Sequence, residues 1–294
     1  MTTLVRRYGW PLAGIILLLC VWWVVVMVIL PQLVMVDYSF RFNLLPRDIG
    51  TEKDVWTLKN YQTLWGNQIH LAIFVKTIWA SGLVTVITFL VCYPIAYYMA
   101  QVARGPRAGL FVVLLIIPYW VNEILRTFAW YILLSRGGPI NEALMALGLI
   151  GEPIDLKQGD VGVILGMVYA YILFMVFPLY SAMESLDRNQ IEAARDLGAS
   201  IPRIHWRVVI PHAKPGIATG CIMTFMLAAG SYAVPALLGS PGSRWFTEII
   251  YNWFFEGGDW QQGSAYAFIL LLLCLGFILL MLKLFKVRLG DIAK

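Results

Sequence analysis

The sequence predicts an all-α integral membrane protein with six transmembrane helices and one long helical loop between the fourth and fifth. Three observations carry this expectation: composition, long uncharged runs, and the placement of the charges between them. Of 294 residues, 60% are hydrophobic and 13% charged, and mean hydropathy is +0.74, whereas a soluble domain carries about 25% charged residues. The 12 Trp and 14 Tyr suit a chain with two membrane–water interfaces to populate. A two-domain soluble enzyme, which length alone would allow, is excluded by these figures.

A helix needs about 20 apolar residues to cross the hydrocarbon layer. The uncharged runs place the spans at about 10–36, 74–100, 109–134, 161–183, 216–238 and 262–284, with residues 1–294 forming a single transmembrane domain. The first follows Arg6 and Arg7, as a signal peptide would. Its apolar run exceeds a usual h-region and no small-x-small site precedes Asp37, so it reads as a retained anchor. The third is the exception in holding charges in its interior, because it contains Glu123 and Arg126.

An even number of spans puts both termini on one side. That side carries twelve basic residues: Arg6, Arg7, Arg104, Arg107, Arg188, Arg195, Arg203, Arg207, Lys214, Lys286, Arg288 and Lys294. The other carries seven: Arg41, Arg47, Lys53, Lys59, Arg136, Lys157 and Arg244. The positive-inside rule therefore predicts cytoplasmic termini. Topology thus accounts for the net charge of +5, and no nucleic-acid partner is needed.

Two outer loops are long. In 56–65, apolar positions recur at helical spacing and predict a short surface helix. In the second, Pro139 opens and Gly148 closes another short helix. Either helix could plug the outer face or receive an extracytoplasmic partner. The inner loop, 185–214, is the most informative stretch. Asp187 can cap a helix, with Gln190 as reciprocal partner, and Gly198 can supply the left-handed residue that ends it. Ile191, Ala194 and Leu197 share one side of that helix, and a second helix starts at Ser200 and is stopped by Pro211 and Pro215. Two helices and a glycine bend make a compact knob, either a simple connection or a docking surface that small Ala193 and Ala194 let another protein approach.

Glu192-Ala193-Ala194, three residues, Gly198, nine residues, then Val208-Val209-Ile210-Pro211 resembles the EAA loop of ATP-binding-cassette importer permeases, with conservative replacements at Val208 and Ile210. Over nearly the whole chain the resemblance extends to spermidine/putrescine importer permeases. It is carried by Leu58-Lys59-Asn60-Tyr61, Pro118-Tyr119-Trp120-Val121-Asn122, Arg126-Thr127-Phe128-Ala129-Trp130, Phe174-Met175-Val176-Phe177-Pro178-Leu179-Tyr180 and Asp259-Trp260. Glu123 and Ser231 depart from that family's usual residues. The resemblance implies the type I importer permease fold, with 185–214 as a cytoplasmic coupling loop inserted into an ATPase dimer. Glu192, Ala193, Ala194, Arg195, Gly198 and Pro211 would make the docking contacts. It further implies ATP and Mg on that partner, no cofactor on this chain, a second related permease subunit, a periplasmic substrate-binding protein, and a bacterial inner-membrane location among lipid.

A charge near the bilayer centre costs about 2.5–3.5 kcal/mol if it faces lipid. Glu123 and Arg126 are neighbours on a helix face, and two readings stay open. They could pair with each other toward the bundle, or Glu123 could line the path for a cationic solute with Arg126 held elsewhere. Pro118 and Pro235 predict kinks, and broken backbone at this depth survives only inside protein or beside a cavity. Aromatic faces can hold ammonium groups. The candidate path residues are accordingly Tyr119, Trp120, Asn122, Glu123, Arg126, Ser231 and Tyr232.

No nucleophile–base arrangement, phosphate-binding Gly loop or metal-ligand spacing appears. His70, His205 and His212 are dispersed, and Cys20, Cys92, Cys221 and Cys274 read as small buried hydrophobes. The alternative to an ATP-driven permease is an ATPase-independent secondary transporter or channel. That alternative predicts an internal repeat, and none is evident.

Overall fold

The computed structural model describes residues 2–44, 46–48, 50–52, 54–103, 106–156, 160–240, 242–287 and 290. Among the basic residues that set the predicted orientation, Lys53, Arg104, Lys157, Arg288 and Lys294 lie outside the described residues, as do the side chains of Arg6, Arg7 and Arg107. In chain order the helices are α1 Thr2–Val24, α2 Leu30–Ser39, α3 Lys59–Gly66, α4 Gln68–Tyr97, α5 Pro106–Ile116, α6 Glu123–Leu133 and α7 Pro139–Ala146. They continue with α8 Val161–Glu184, α9 Arg188–Asp196, α10 Ile201–Ile204, α11 Ile210–Ala229, α12 Ala233–Leu238, α13 Phe246–Phe255 and α14 Trp260–Phe285. Short π-helical turns join α1 to α2, extend α4 to Val102, and join α10 to α11.

Among the described residues, four continuous helices are long and apolar enough to cross a membrane: Pro11–Ser39, Gln68–Val102, Val161–Glu184 and Trp260–Phe285. A broken pair, Gly109–Trp120 and Glu123–Leu133, is bent by 91° and makes a fifth when counted as one span. The expected third span is therefore not one helix. Pro118 lacks the N–H that would continue α5, residues Ile117–Trp120 tighten into a 3₁₀ turn, and Asn122 caps a new helix by accepting from Ile124 N at 2.8 Å. The expected fifth span is divided as well. α11 ends at Gly230, and α12 begins beyond Ser231 and Tyr232 with Pro235 in its first turn.

The chain divides into two compact units, the first comprising Met1–Gln68 and Ile250–Ile269 and the second Ile69–Ile249 and Leu270–Lys294. In the first, Phe40 stacks on Trp56 at 5.8 Å and meets Tyr61 and Phe268. Buried Asn60 donates to the carbonyls of Ser39 and Arg41, and its own carbonyl accepts from Gln262 Nε2 at 2.8 Å. Arg41 pairs with Asp37 and Asp54 at 2.7 and 2.9 Å. The Gly50 N–H and the Arg41 guanidinium hold the Asp54 carboxyl below its ordinary value. The predicted surface helix at 56–65 starts only at Lys59, because Trp56 is drawn into a bridge with Arg41.

In the second unit the core lies between α4, α8 and α11, with Cys92, Ala96, Met175, Leu179 and Ile217 buried. α8 and α11 approach closely because Gly216 and Gly220, four apart, face Pro178 and Met175, the small-residue packing that membrane helices use. Phe225 stacks on Phe277 at 3.7 Å. At one end Lys76 bonds Asp160 at 2.8 Å, Ser243 Oγ at 3.0 Å and the Arg244 carbonyl, and Ser243 Oγ also donates to Asp160. Cys92 and Cys274 are buried as expected, whereas Cys221 is half-buried and Cys20 exposed, on a helix whose apolar faces are left for lipid.

Candidate functional site

The inner loop folds as a knob rooted in the second unit's core. Asp187 caps α9 by accepting from Asn189 N at 3.0 Å. Gly198, at φ 75°, supplies the left-handed bend that a residue with a Cβ adopts only at a cost. Ile191 and Ile204 are buried among Met183, Leu186 and Val209, so the knob shares its core with the helices beneath it. Gln101 Nε2 donates to the carbonyls of Met183 and Leu186 at 2.6 and 3.1 Å, tying the end of α4 to the start of the loop. His205 Nδ1 lies 2.8 Å from Tyr93 Oη, and its ring packs on Tyr97.

Glu192, Ala193, Arg195, Gly198 and Pro211 are all exposed, and Ala194 is half-buried. Leu197 does not share a buried side with Ile191. As the C-terminal cap of α9 it turns outward and is 88% exposed, and Ile201 and Trp206 on the same loop are 69% and 72% exposed. At 3.6 residues per turn Leu197 falls about a third of a turn from Ile191, so the two do not share a face. Nor do Pro211 and Pro215 stop the second helix: Pro211 sits in the first turn of α11, Pro215 lies inside it, and the π turn His205–Val209 keeps the chain helical into α11.

The path candidates gather where α6, α8 and α12 pack together. Glu123 opens α6 and is exposed, at a helix start, where a carboxylate is favoured by the free N–H groups. Of the two readings left open, the ion pair with Arg126 is not the one found: Nε and Nη1 of Arg126 donate no bond to Glu123. The Arg126 guanidinium instead lies 4.2 Å from the centre of the Tyr119 ring and 5.9 Å from that of Tyr169, a residue the sequence did not single out. Its Nε and Nη1 are buried with no hydrogen-bond partner. Tyr119 Oη meets the carbonyls of Tyr169 and Ala170, each at 2.9 Å. Trp120 is 80% exposed, and Asn122 is spent on its cap. Ser231 is buried, its carbonyl accepting from Thr247 Oγ1 at 2.5 Å, and Tyr232 is partly exposed beside it. A groove of about 720 Å³ runs between α8 and α11, lined by Phe174, Phe177, Ser181, Ser185, His212 and Thr219 among others. Among the described residues no group of three His, Cys, Asp or Glu side chains could hold a metal ion.

Comparison with known proteins places this architecture. The chain is 34% identical over 267 residues to the spermidine/putrescine transport system permease protein PotB of Salmonella typhimurium (strain LT2), covering 91% of each. It is 35% identical over 258 residues to PotB of Escherichia coli (strain K12), covering 88% of this chain and 92% of that one. The inner membrane ABC transporter permease protein YdcU of Escherichia coli (strain K12) is 31% identical, over 74% of this chain and 72% of that one. The fold is similar to that of a bacterial ABC transporter for import of the acidic polysaccharide alginate, at TM-score 0.75 and 16% identity over 96% of both chains. It is also similar to the MetNI methionine ABC transporter in an inward-facing conformation, at TM-score 0.54 and 15% identity over 75% of this chain and 98% of that one. Residues 92–286, which contain the knob and every path candidate, match the family described as "Binding-protein-dependent transport system inner membrane component". This chain belongs to that family and is a permease subunit of an ABC importer.

Proposed function

We propose that this chain is one of two related permease subunits that carry polyamines, or a related small cationic or zwitterionic solute, from periplasm to cytoplasm by alternating access. Residues 1–294 form one permease domain with six crossings and both termini in the cytoplasm, the broken segments α5–α6 and α11–α12 each counting as one. The chain has no catalytic role. An ATPase dimer holding ATP and Mg drives transport, and a periplasmic substrate-binding protein delivers the solute.

The observation that carries this reading is the knob. It exposes Leu197, Ile201 and Glu192 around a glycine bend while Ile191 and Ile204 root it in the core of α4, α8 and α11. Leu197 and Ile201 fill the ATPase groove, Glu192 makes a polar contact at its edge, and Ala193 and Ala194 allow close approach. Closure of the ATPase dimer moves the knob, and the shared core passes that movement to three helices at once. The solute class follows from the relatives named for spermidine and putrescine and from exposed Glu123 among aromatic side chains.

The test is copurification of the ATPase with the membrane-embedded chain. Leu197→Asp and Glu192→Lys lie on the surface, so they leave the yield and thermal stability of the permease unchanged but reduce ATPase recovery at least tenfold, a loss of about 1.4 kcal/mol or more. An undiminished complex in both variants overturns the docking assignment. Absence of ATP-dependent uptake of spermidine and putrescine by the intact transporter overturns the solute assignment.

A further inference from the structure

We infer that the rings of Tyr119 and Tyr169 form a seat for an organic cation, which Arg126 fills when no solute is present and leaves when the solute's ammonium group arrives. The inference rests on the reading of the solute as a small cation passing α6. Its geometry is independent of that reading. The Arg126 guanidinium lies 4.2 Å from the Tyr119 ring centre and 5.9 Å from that of Tyr169. The seat is stiff: Tyr119 Oη is fixed by the carbonyls of Tyr169 and Ala170 and receives Leu173 N at 3.4 Å, and Tyr169 stands edge-on to Trp130 at 5.5 Å.

The occupant is held differently. Nε and Nη1 of Arg126 are buried without hydrogen-bond partners among the described residues, and neither Glu123 nor another carboxylate there accepts from them. A buried guanidinium kept for stability is normally paired and hydrogen-bonded. One held by ring faces lacks the directional bonds that a carboxylate would supply, so another cation can take its place. An ammonium on a methylene chain carries the same charge and binds aromatic faces in the same way, so it competes for the same place. Glu123, three residues earlier and exposed, is within helical reach of the displaced side chain, so the guanidinium that leaves the seat has a carboxylate to pair with. Arg126 thereby sets specificity: a solute enters only if its cation outcompetes a tethered one.

The test uses the full-length chain in nanodiscs, with methylguanidinium and spermidine titrated separately against tryptophan fluorescence, which Trp130 reports from beside Tyr169. Arg126→Met, and as a second variant Arg126→Gln, empties the seat and lowers the half-saturating concentration of both probes about threefold to tenfold. Arg126→Lys behaves as the parent. Adding Tyr169→Leu to either emptied variant abolishes the gain. Parent-like titrations in both emptied variants, or a gain that survives loss of Tyr169, overturn the inference. If methylguanidinium follows the expected pattern while the intact transporter takes up no polyamine, the seat stands and the polyamine reading falls.

Discussion

Gly216 on α11 lies against Pro178 on α8 so closely that a Cβ there would overlap the Pro178 carbonyl oxygen and sit 2.5 Å from Ala182 Cβ. Neither obstacle is the end of a flexible side chain, so the helices themselves would have to part. Gly216→Val is expected to lower the stability of the purified chain by about 2–3 kcal/mol or more, seen as a reduced unfolding temperature in detergent. Gly82, with open space around its Cβ position, is the control: Gly82→Ala leaves that temperature within a degree or two.

Burial of His205, whose ring lies against Tyr93, makes stability depend on pH. Burial holds the His205 pKa below its ordinary value of 6.5, so the unfolded chain binds a proton more readily than the folded one. Its contribution is complete above pH 6.5 and is lost as pH falls from 6.5 toward the lowered folded value. Thermal stability should decline between pH 7.5 and 5.5, and His205→Gln should flatten that decline. A parent and variant with parallel pH profiles would show that the proton is taken up elsewhere.

Exposed Glu123 makes no side-chain hydrogen bond or ion pair among the described residues, so Glu123→Gln should leave yield and thermal stability as in the parent. If it attracts a cationic solute, the KM for spermidine uptake rises about threefold to tenfold with kcat little changed, in the range set by one charge–charge interaction near a protein surface. Uptake unchanged at every concentration would remove Glu123 from the path.

Lys76 is the hub of a partly buried network, reaching Asp160, Ser243 and the Arg244 carbonyl and lying 5.7 Å from the Trp245 ring centre. Lys76→Met keeps the stem but leaves Asp160 uncompensated. The expected loss is about 1–3 kcal/mol of stability, recovered in part by Asp160→Asn in the same chain. Additive effects of the two substitutions would mean the residues do not interact.

Much of this was legible without coordinates. The placement of α1–α2, α4, α8 and α14 follows from uncharged runs, since hydrocarbon leaves an apolar helix as the simplest way to satisfy the backbone. Pro139 and Gly148 bracket α7 as read. Asp187 and Gly198 bound α9, because caps and left-handed bends depend on neighbours within a turn. Glu192, Ala193, Arg195, Gly198 and Pro211 stand exposed on the knob to which the motif pointed.

What the linear pattern could not settle were choices between two locally acceptable outcomes. Pro118 allows a mild kink or a full 91° break, and the break is the outcome in which α6 packs on α8 and α12. Arg126 could reach Glu123 on its own helix, yet it lies on Tyr119, whose hydroxyl is anchored by carbonyls of a helix some fifty residues away. Pro211 and Pro215 read as stops, but a π turn shifts the hydrogen-bond register and keeps α11 helical. Local sequence thus determined which segments are apolar helices and where their caps lie, because those energies arise within a few residues. Only the assembled structure decided which side chains meet, because pairings such as Gly216 with Pro178 or Arg126 with Tyr119 depend on how separate helices pack.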